Sequence, residues 1–213
     1  MSEGSAAFDE DYFRQLYGDV PRQTRFDRGR DDRVVALVDR YAPEGDGPVL
    51  DIGCGYGYLL SRFRGRRRLV GIDLSTHAAE RARARLREAL ILRADVQRGL
   101  PFDKPFDVAL AINVVEHLPD PEAGVRSLAE ALRPGGICVV HLPTINNAVS
   151  RLIYRFAYAG DPTHVYRPTG AALRRLFESS GFDSLEWSFA PHIRALGSRT
   201  GWHPALLAAF RRR

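Results

Sequence analysis

The residues Val49-Leu50-Asp51-Ile52-Gly53-Cys54-Gly55-Tyr56-Gly57 run from an apolar stretch into three glycines spaced GxGxG. Without a Cβ, such a loop turns sharply and brings backbone N–H groups against a ligand. Taken alone it could cradle the pyrophosphate of a dinucleotide. Two details point elsewhere. Tyr58 stands where a dinucleotide fingerprint carries a third glycine or alanine, and Asp51 closes the apolar run, where its charge would repel a pyrophosphate but suit an amine or a sulfonium. Asp73, about twenty positions on, closes the next apolar run and could hold both hydroxyls of a ribose or cap the helix that follows. Asp95, after a third run, could accept from an adenine amino group or simply close a turn. Three carboxylates at three successive strand ends persuade more than any one of them.

Histidines supply the other chemistry. His117, in Glu116-His117-Leu118, could take a proton from a hydroxyl or amine, or could orient a loop. His164, in Asp161-Pro162-Thr163-His164, has the same two readings, with Asp161 as its orienting partner in the first. His141 ends a strand candidate and reads as a wall residue. Glu116 and His117 could join a remote carboxylate on a divalent ion, but no second paired acidic site is visible, so no metal is expected. Cys54 and Cys138 lie far apart and without CxxC or Cys/His spacing, which reads as reduced thiols rather than a disulfide or zinc site.

The elements that must position these groups alternate. Strand candidates are 49–52, 69–72, 90–93, 106–112 and 137–141, and helix candidates between them are 58–64, 76–87 and 122–132. Apolar strands alternating with helices imply an α/β, Rossmann-like, doubly wound and mostly parallel sheet with helices on both faces. Before it, residues 1–48 hold an aromatic helical stretch (Tyr12, Phe13, Leu16, Tyr17) and a helix over 31–41 striped by Val34, Val35, Leu37, Val38 and Tyr41. They read as an N-terminal helical lid to a 49–213 domain. Residues 144–168 break the rhythm as an insertion over the site. Their helix, 148–158, is expected to turn Leu152, Ile153, Phe156 and Ala157 inward. A helix over 169–180 stopped by Gly181 and a strand over 182–189 follow. Residues 190–197 are poor strand material and 205–211 carry a short basic helix pattern, so the last, antiparallel strand is expected to be irregular or missing.

The run VLDIGCGYG, the GID ending at Asp73, the AD at 94–95, FDVALAINVVEHLPDP from Phe106 to Pro121 and LRPGG from Leu132 to Gly136 together resemble the class I S-adenosylmethionine-dependent methyltransferases. The nearest likeness is to their small-molecule, ubiquinone-biosynthesis-like branch. It covers about 49–142, with a weaker echo at 161–182. The resemblance implies S-adenosylmethionine as cofactor and S-adenosylhomocysteine as product. It places Gly53, Cys54, Gly55 and Gly57 under the methionine moiety, with Asp51 near its ammonium. It puts Asp73 on the ribose, Leu74 against adenine, Asp95 and Val96 at the adenine edge, and the Asn113 carbonyl on the methionine amine. It also makes His117 and His164 the catalytic candidates. Methyl transfer from a sulfonium needs chiefly orientation. The expected reaction is methylation of a small-molecule hydroxyl. RNA or protein methylation, and a cofactor-binding member that transfers nothing, stand as alternatives.

Composition narrows the partners. Hydrophobic residues at 45% and charged residues at 27% fit a globular chain, and no apolar run approaches a membrane span. The net charge of +5 is almost all arginine, Lys104 being the sole lysine, and its runs read as solvated faces rather than a nucleic-acid footprint. The expectation is a cytoplasmic monomer or homodimer with a small-molecule acceptor and neither membrane nor nucleic acid as partner.

Overall fold

Seven strands form one sheet. β1 (Val49–Ile52), β2 (Leu69–Asp73), β3 (Leu90–Arg93), β4 (Phe106–Ile112) and β5 (Leu132–Pro143) are parallel; β6 (Phe182–Phe189) and β7 (Ala205–Arg212) complete it in the order β3-β2-β1-β4-β5-β7-β6. β7 is the one strand that runs against its neighbours. The computed structural model describes residues 8, 10–12, 23–102, 106–158, 160–189, 201 and 203–213.

The order reverses direction between β1 and β4, so the ends of these strands diverge and leave a crevice there, where open α/β sheets bind ligands. Side chains alternate along β1. Leu50 and Ile52 face a cluster with Val125 and Leu128 of α3 (Pro121–Ala131) and Leu173 and Phe177 of α5 (Gly170–Ser179). Val49 faces the other side, with Val34, Leu37 and Val38 of α1 (Arg25–Tyr41) and Ala79 and Ala82 of α2 (Thr76–Arg85). Burial of each large apolar side chain in these layers contributes roughly 1.5–3 kcal/mol. Among the described residues, no helix is long and apolar enough to cross a membrane.

Several expectations need correction. α1 starts at Arg25 rather than 31, because Thr24 and Asp27 form a reciprocal capping box. Asp31 is therefore mid-helix and fully buried, receiving Gln23 Nε2 at 2.6 Å and Arg30 Nη2 at 2.9 Å. The turn after the glycine loop is a short 3-10 helix over Leu60–Phe63 instead of a helix over 58–64. β5 begins five residues earlier than the apolar run suggested, with Leu132 pairing to Phe106 before a register shift.

The largest correction concerns 205–211. This segment is a strand, not a basic helix, and the antiparallel strand expected to be irregular or missing is present. It pairs with β5 from Ile137↔Arg211 to Pro143↔Ala205; the irregularity lies in β6, as a bulge between Ser184 and Glu186. Ala205-Leu206-Leu207-Ala208-Ala209-Phe210 has helical propensity, but between two partners both its faces are buried, and tertiary context overrides.

The helix in the insertion, α4 (Ala148–Ala157), is inverted. Its buried residues are Ser150 and Tyr154, while Val149, Leu152 and Phe156 are 53%, 57% and 82% exposed. Phe13, Leu16, Tyr17 and the 190–197 segment lie outside the described residues.

Candidate active site

The crevice beside β1 gathers negative charge. Asp51, next to last in β1, is buried, and its carboxyl is held well above the usual carboxylate range, first by burial and then by the nearby Asp31 and Asp73 charges, with Arg30 opposing. Asp73, closing β2, is also buried and raised by burial, against the backbone N–H groups of Ser75, Gly55 and Leu74. Gly55 N–H donates to Asp73 Oδ2 at 2.8 Å and Ser75 N–H to Oδ1 at 2.9 Å. Asp73 thus braces the loop it faces. It does not cap α2, since Ser75 does, accepting from Ala78 N–H.

Gly53, Gly55 and Gly57 have φ of 60°, 52° and 74°, the left-handed region that favours glycine. A Cβ on Gly53 would fall 2.4 Å from Val114 Cγ2, whereas one on Gly55 would meet nothing within 4 Å, so open room lies beside the loop. A cradle without side chains next to two or three mutually repelling carboxylates is suited to a cationic ligand. The ammonium and sulfonium of S-adenosylmethionine fit that description. Cys54 turns inward, its N–H donating to the Ile72 carbonyl and its thiol raised by burial.

The adenine side is less distinctive. Leu74 is half-buried. Asp95 caps a 3-10 turn over Val96–Arg98, accepting from Gln97 N–H at 3.0 Å and Gln97 Nε2 at 3.3 Å. The Val96 side chain is in the core, which leaves its backbone as the part that could meet a ligand. Asn113 follows β4 with φ of 56°, unusual for a non-glycine. Its N–H donates to the His141 carbonyl, and its Oδ1 lies 2.6 Å from His141 Nδ1. The strained residue and the wall histidine therefore lock each other at the strand ends.

The structure brings His117, in the turn after β4, and His164, within the insertion, together, ring centroids 4.8 Å apart. Asp161 reaches His117 through Thr163 and faces His164. Its Oδ1 receives the Thr163 hydroxyl at 2.5 Å and the Thr163 N–H at 2.9 Å; its Oδ2 lies 3.7 Å from His164 Nε2 and receives Tyr12 OH at 3.3 Å. A hydroxyl has one proton. With that proton on Asp161, Thr163 Oγ1 must accept at its 2.8 Å contact with His117 Nδ1, where the Thr163 carbonyl, at 3.3 Å, can accept too. The network assigns His117 the Nδ1–H tautomer and leaves Nε2 with its lone pair. Burial and the neighbouring His164 push His117 down to about 4, so it is neutral at pH 7. Burial by itself would raise Asp161, but the Thr163 hydroxyl and amide and the two imidazoles hold it below the usual range. His164 Nδ1 pairs with Tyr154 OH at 3.0 Å, and Tyr158 stacks on its ring. Phe8 meets His117 edge-on.

Glu116 sits beneath this pair. It is 1% exposed, both carboxyl oxygens lack a hydrogen-bond partner, and burial raises it to about 8, so it is a carboxylic acid at neutral pH. Ligand atoms of Glu116, His117 and His164 lie within 4.8 Å of one another, a grouping that could also hold a cation. The sequence offered only half of it, because His164 arrives from 47 positions away through the fold. Sequence reasoning missed Thr163, Tyr154 and Asp31. The Asp161-Pro162-Thr163 turn, in which an Asp side chain caps the amide two residues on, was the signal for Thr163.

A crossover sheet with a glycine cradle after β1, a buried carboxylate at the ends of β1 and β2, and histidines at the same edge define the class I group-transfer architecture for nucleoside cofactors. The profile described as "Methyltransferase domain" matches residues 26–186, and the chain belongs to this family, in its class I S-adenosylmethionine-dependent form. It is 35% identical over 132 residues to a ubiquinone biosynthesis O-methyltransferase of Nitrosospira multiformis, covering 59% of this chain and 54% of that one. A protein of the same name from Neisseria meningitidis serogroup C is 31% identical over 165 residues, covering 68% of each. The chain thus spans little more than half the length of the first relative. In fold it is similar to a Thermotoga maritima S-adenosylmethionine-dependent methyltransferase, with a TM-score of 0.71 at 19% identity over 99% of this chain and 100% of that one.

Proposed function

We propose that the protein methylates a hydroxyl group of a small-molecule acceptor, with S-adenosylmethionine as donor and S-adenosylhomocysteine as product. The observation that carries this is the Asp161–Thr163–His117 chain, which leaves one imidazole nitrogen ready to accept a proton beside a cradle suited to a sulfonium. When bound, the cofactor supplies an activated methyl group. Asp51 would meet its ammonium, with the Gly53–Gly57 backbone and the Asn113 carbonyl holding the methionine part. Asp73 would take the ribose hydroxyls with its remaining lone pairs. Leu74, Asp95 and the Val96 backbone would hold the adenine. His117 Nε2 would take the acceptor hydroxyl's proton as the oxygen–carbon bond forms and the carbon–sulfur bond breaks, leaving an ether, a thioether and a protonated imidazole. His164, neutral and paired with the Tyr154 hydroxyl, positions the acceptor side.

Residues 8 and 10–12 support a lid role for the N-terminal segment, since Phe8 and Tyr12 reach His117 and Asp161. The buried free thiols Cys54 and Cys138 support a reducing, cytoplasmic setting, with the chain as monomer or homodimer. The test is incubation with methyl-labelled S-adenosylmethionine and a panel of phenols, alcohols and amines, following S-adenosylhomocysteine. Label transfer to hydroxyl acceptors is expected. Transfer to amines alone, or to RNA or protein, reassigns the acceptor, and tight cofactor binding with no turnover on any acceptor overturns the reading.

A further inference from the structure

Asp31 is an acid buried within reach of the cofactor loop that the methyl-transfer reading leaves unused. α1 meets the sheet through a stripe of Asp31, Val34 and Val38, spaced i, i+3 and i+7, and all three are buried. Along β1, side chains two apart share a face, so Asp51 lies on the same face as Val49, which packs with Val34 and Val38. The chain ends α1 at Tyr41 and begins β1 at Val49, so the start of the helix and the end of the strand fall at the same end of this layer. Asp31 and Asp51 meet there. Of the charges acting on Asp51, that of Asp31 is the largest, ahead of Asp73 and of the opposing Arg30.

The acids differ in what satisfies them. Asp31 Oδ2 receives Gln23 Nε2 at 2.6 Å, and its Oδ1 receives Arg30 Nε at 3.1 Å and Nη2 at 2.9 Å. Arg30 also lies 3.3 Å from Asp27, so this part of α1 sets two acids against one guanidinium. Asp73 has the Gly55 and Ser75 amides. Asp51 is 3% exposed and, among the described residues, accepts no hydrogen bond. Buried carboxyls are almost always bonded, so one left unbonded beside an open glycine loop is suited to a donor carried by a ligand.

S-adenosylmethionine and S-adenosylhomocysteine bring Asp51 the same ammonium. They differ by one methyl group and by the positive charge on sulfur. Selection between them by charge falls to groups that add field without adding a contact. Asp31 is such a group, since it is fully buried and already satisfied and can act on a ligand only through its charge.

We propose that Asp31 is a selectivity residue, whose charge beside Asp51 weights the cofactor pocket towards the sulfonium of S-adenosylmethionine and against the neutral thioether of the product. This rests on the reading that seats the methionine part on the Gly53–Gly57 loop, and on nothing about the acceptor. Its consequence is easier product release, because the same field finds no positive sulfur to hold once the methyl group has gone. The competing role is mechanical: Asp31 staples Gln23 to α1, which would serve both ligands alike.

The test is calorimetric titration of the whole protein at pH 8 with S-adenosylmethionine and with S-adenosylhomocysteine, read as the ratio of the two affinities. A unit charge acting over roughly 10 Å at an effective dielectric of about 20 to 40 is worth about 4- to 15-fold, and Arg30 offsets part of it. Asp31→Asn should therefore shift the ratio at least ~3-fold towards the product. Arg30→Gln removes the opposing charge and should move the ratio the other way, by about 2-fold or more. Sinefungin, whose protonated amine stands in place of the sulfonium methyl, should follow S-adenosylmethionine in both variants, which separates charge from methyl contact. Thermal midpoints are followed in parallel, and if Asp31→Asn does not fold, Arg30→Gln decides alone. Equal weakening of both ligands by Asp31→Asn, a shift of the same sign in both variants, or sinefungin following the product would each overturn the proposal. Asp51→Asn tells that failure from a failure of the site: if it weakens both ligands while Asp31→Asn leaves the ratio unmoved, the site stands and the selectivity role falls. If Asp51→Asn changes neither affinity, the seating of the methionine part on this loop falls, and the proposal with it.

Discussion

Replacing Thr163 by valine removes the one atom that connects Asp161 to His117. Oγ1 spends its proton on Asp161 at 2.5 Å and its lone pair on the 2.8 Å contact with His117 Nδ1. Valine keeps the shape and deletes both. The bond to the carboxylate is charge-assisted, worth about 1.5–3 kcal/mol, and the imidazole bond about 1 kcal/mol. Asp161 keeps the Thr163 amide and Tyr12, and His117 retains the backbone carbonyl at 3.3 Å, so only part of that sum reaches the transition state. A loss of about 1.4–2.7 kcal/mol in orientation corresponds to a fall in kcat of about 10- to 100-fold. Cofactor affinity should not move, because Thr163 touches nothing of the glycine loop or of Asp51 and Asp73. The assay is initial-rate release of S-adenosylhomocysteine with the hydroxyl acceptor found in the panel, paired with calorimetric titration of the cofactor. Thr163→Ser, which restores the hydroxyl, should recover to within about 3-fold. A valine variant within 2-fold of the parent kcat, or one whose loss lies wholly in cofactor affinity, would refute the relay.

Glu116→Gln should stabilise the protein increasingly with pH. Unfolded Glu116 ionises above 4.5 while the folded group stays protonated to about 8, so the native state binds the extra proton between those values and stability falls by about 1.4 kcal/mol per pH unit there. The variant's gain in thermal midpoint should be small at pH 5, grow to pH 8 and then level off; a constant gap would contradict a protonated Glu116. Asp51→Asn should raise the thermal midpoint of the free protein, by removing a charge raised by burial, Asp31 and Asp73, and should weaken cofactor binding at least about 10-fold by calorimetry. Gly53→Ala places a methyl 2.4 Å from Val114 Cγ2 at φ of 60°, where an L-residue costs about 1–2 kcal/mol before the clash, so both thermal midpoint and cofactor affinity should fall. The kcat profile should be flat above about pH 6 and decline only as His117 protonates towards 4; a rise in rate centred near 7 would point to another base.

Much of the frame was legible because its strands are local and apolar. β1, β3, β4 and β6 have the bounds that the apolar runs suggested. The glycine spacing and the carboxylates of Asp51 and Asp73 at strand tips survive translation into three dimensions, since a strand end is a place that sequence can specify. What failed depended on partners remote in sequence. The Ala205–Phe210 run reads as helix until β5 and β6 flank it. The apolar stripe of α4 has the right period but no sign saying which side meets the fold; Tyr154, drawn inward by His164, decides it. Asp31 looked like a first-turn aspartate, and only the Thr24 cap upstream makes it a buried neighbour of Asp51. His117 and His164 were both singled out, but their contact, and the threonine between His117 and Asp161, could not be read from a linear string.

The place of β7 also sets a timetable. Ribosomes add about 5–20 residues per second, and Ala205 is made about sixty residues after Pro143 closes β5, so several seconds pass in which the nascent parallel sheet ends at an open β5 edge. β6, made in that interval, has no neighbour to join, because its partner in the finished sheet is β7. An unfilled edge whose next strand is as apolar as Leu206, Leu207 and Phe210 invites the wrong partner at that moment. The half-made chain is therefore the form most in need of a chaperone, and slower synthesis through this stretch should lower the yield of native protein rather than raise it.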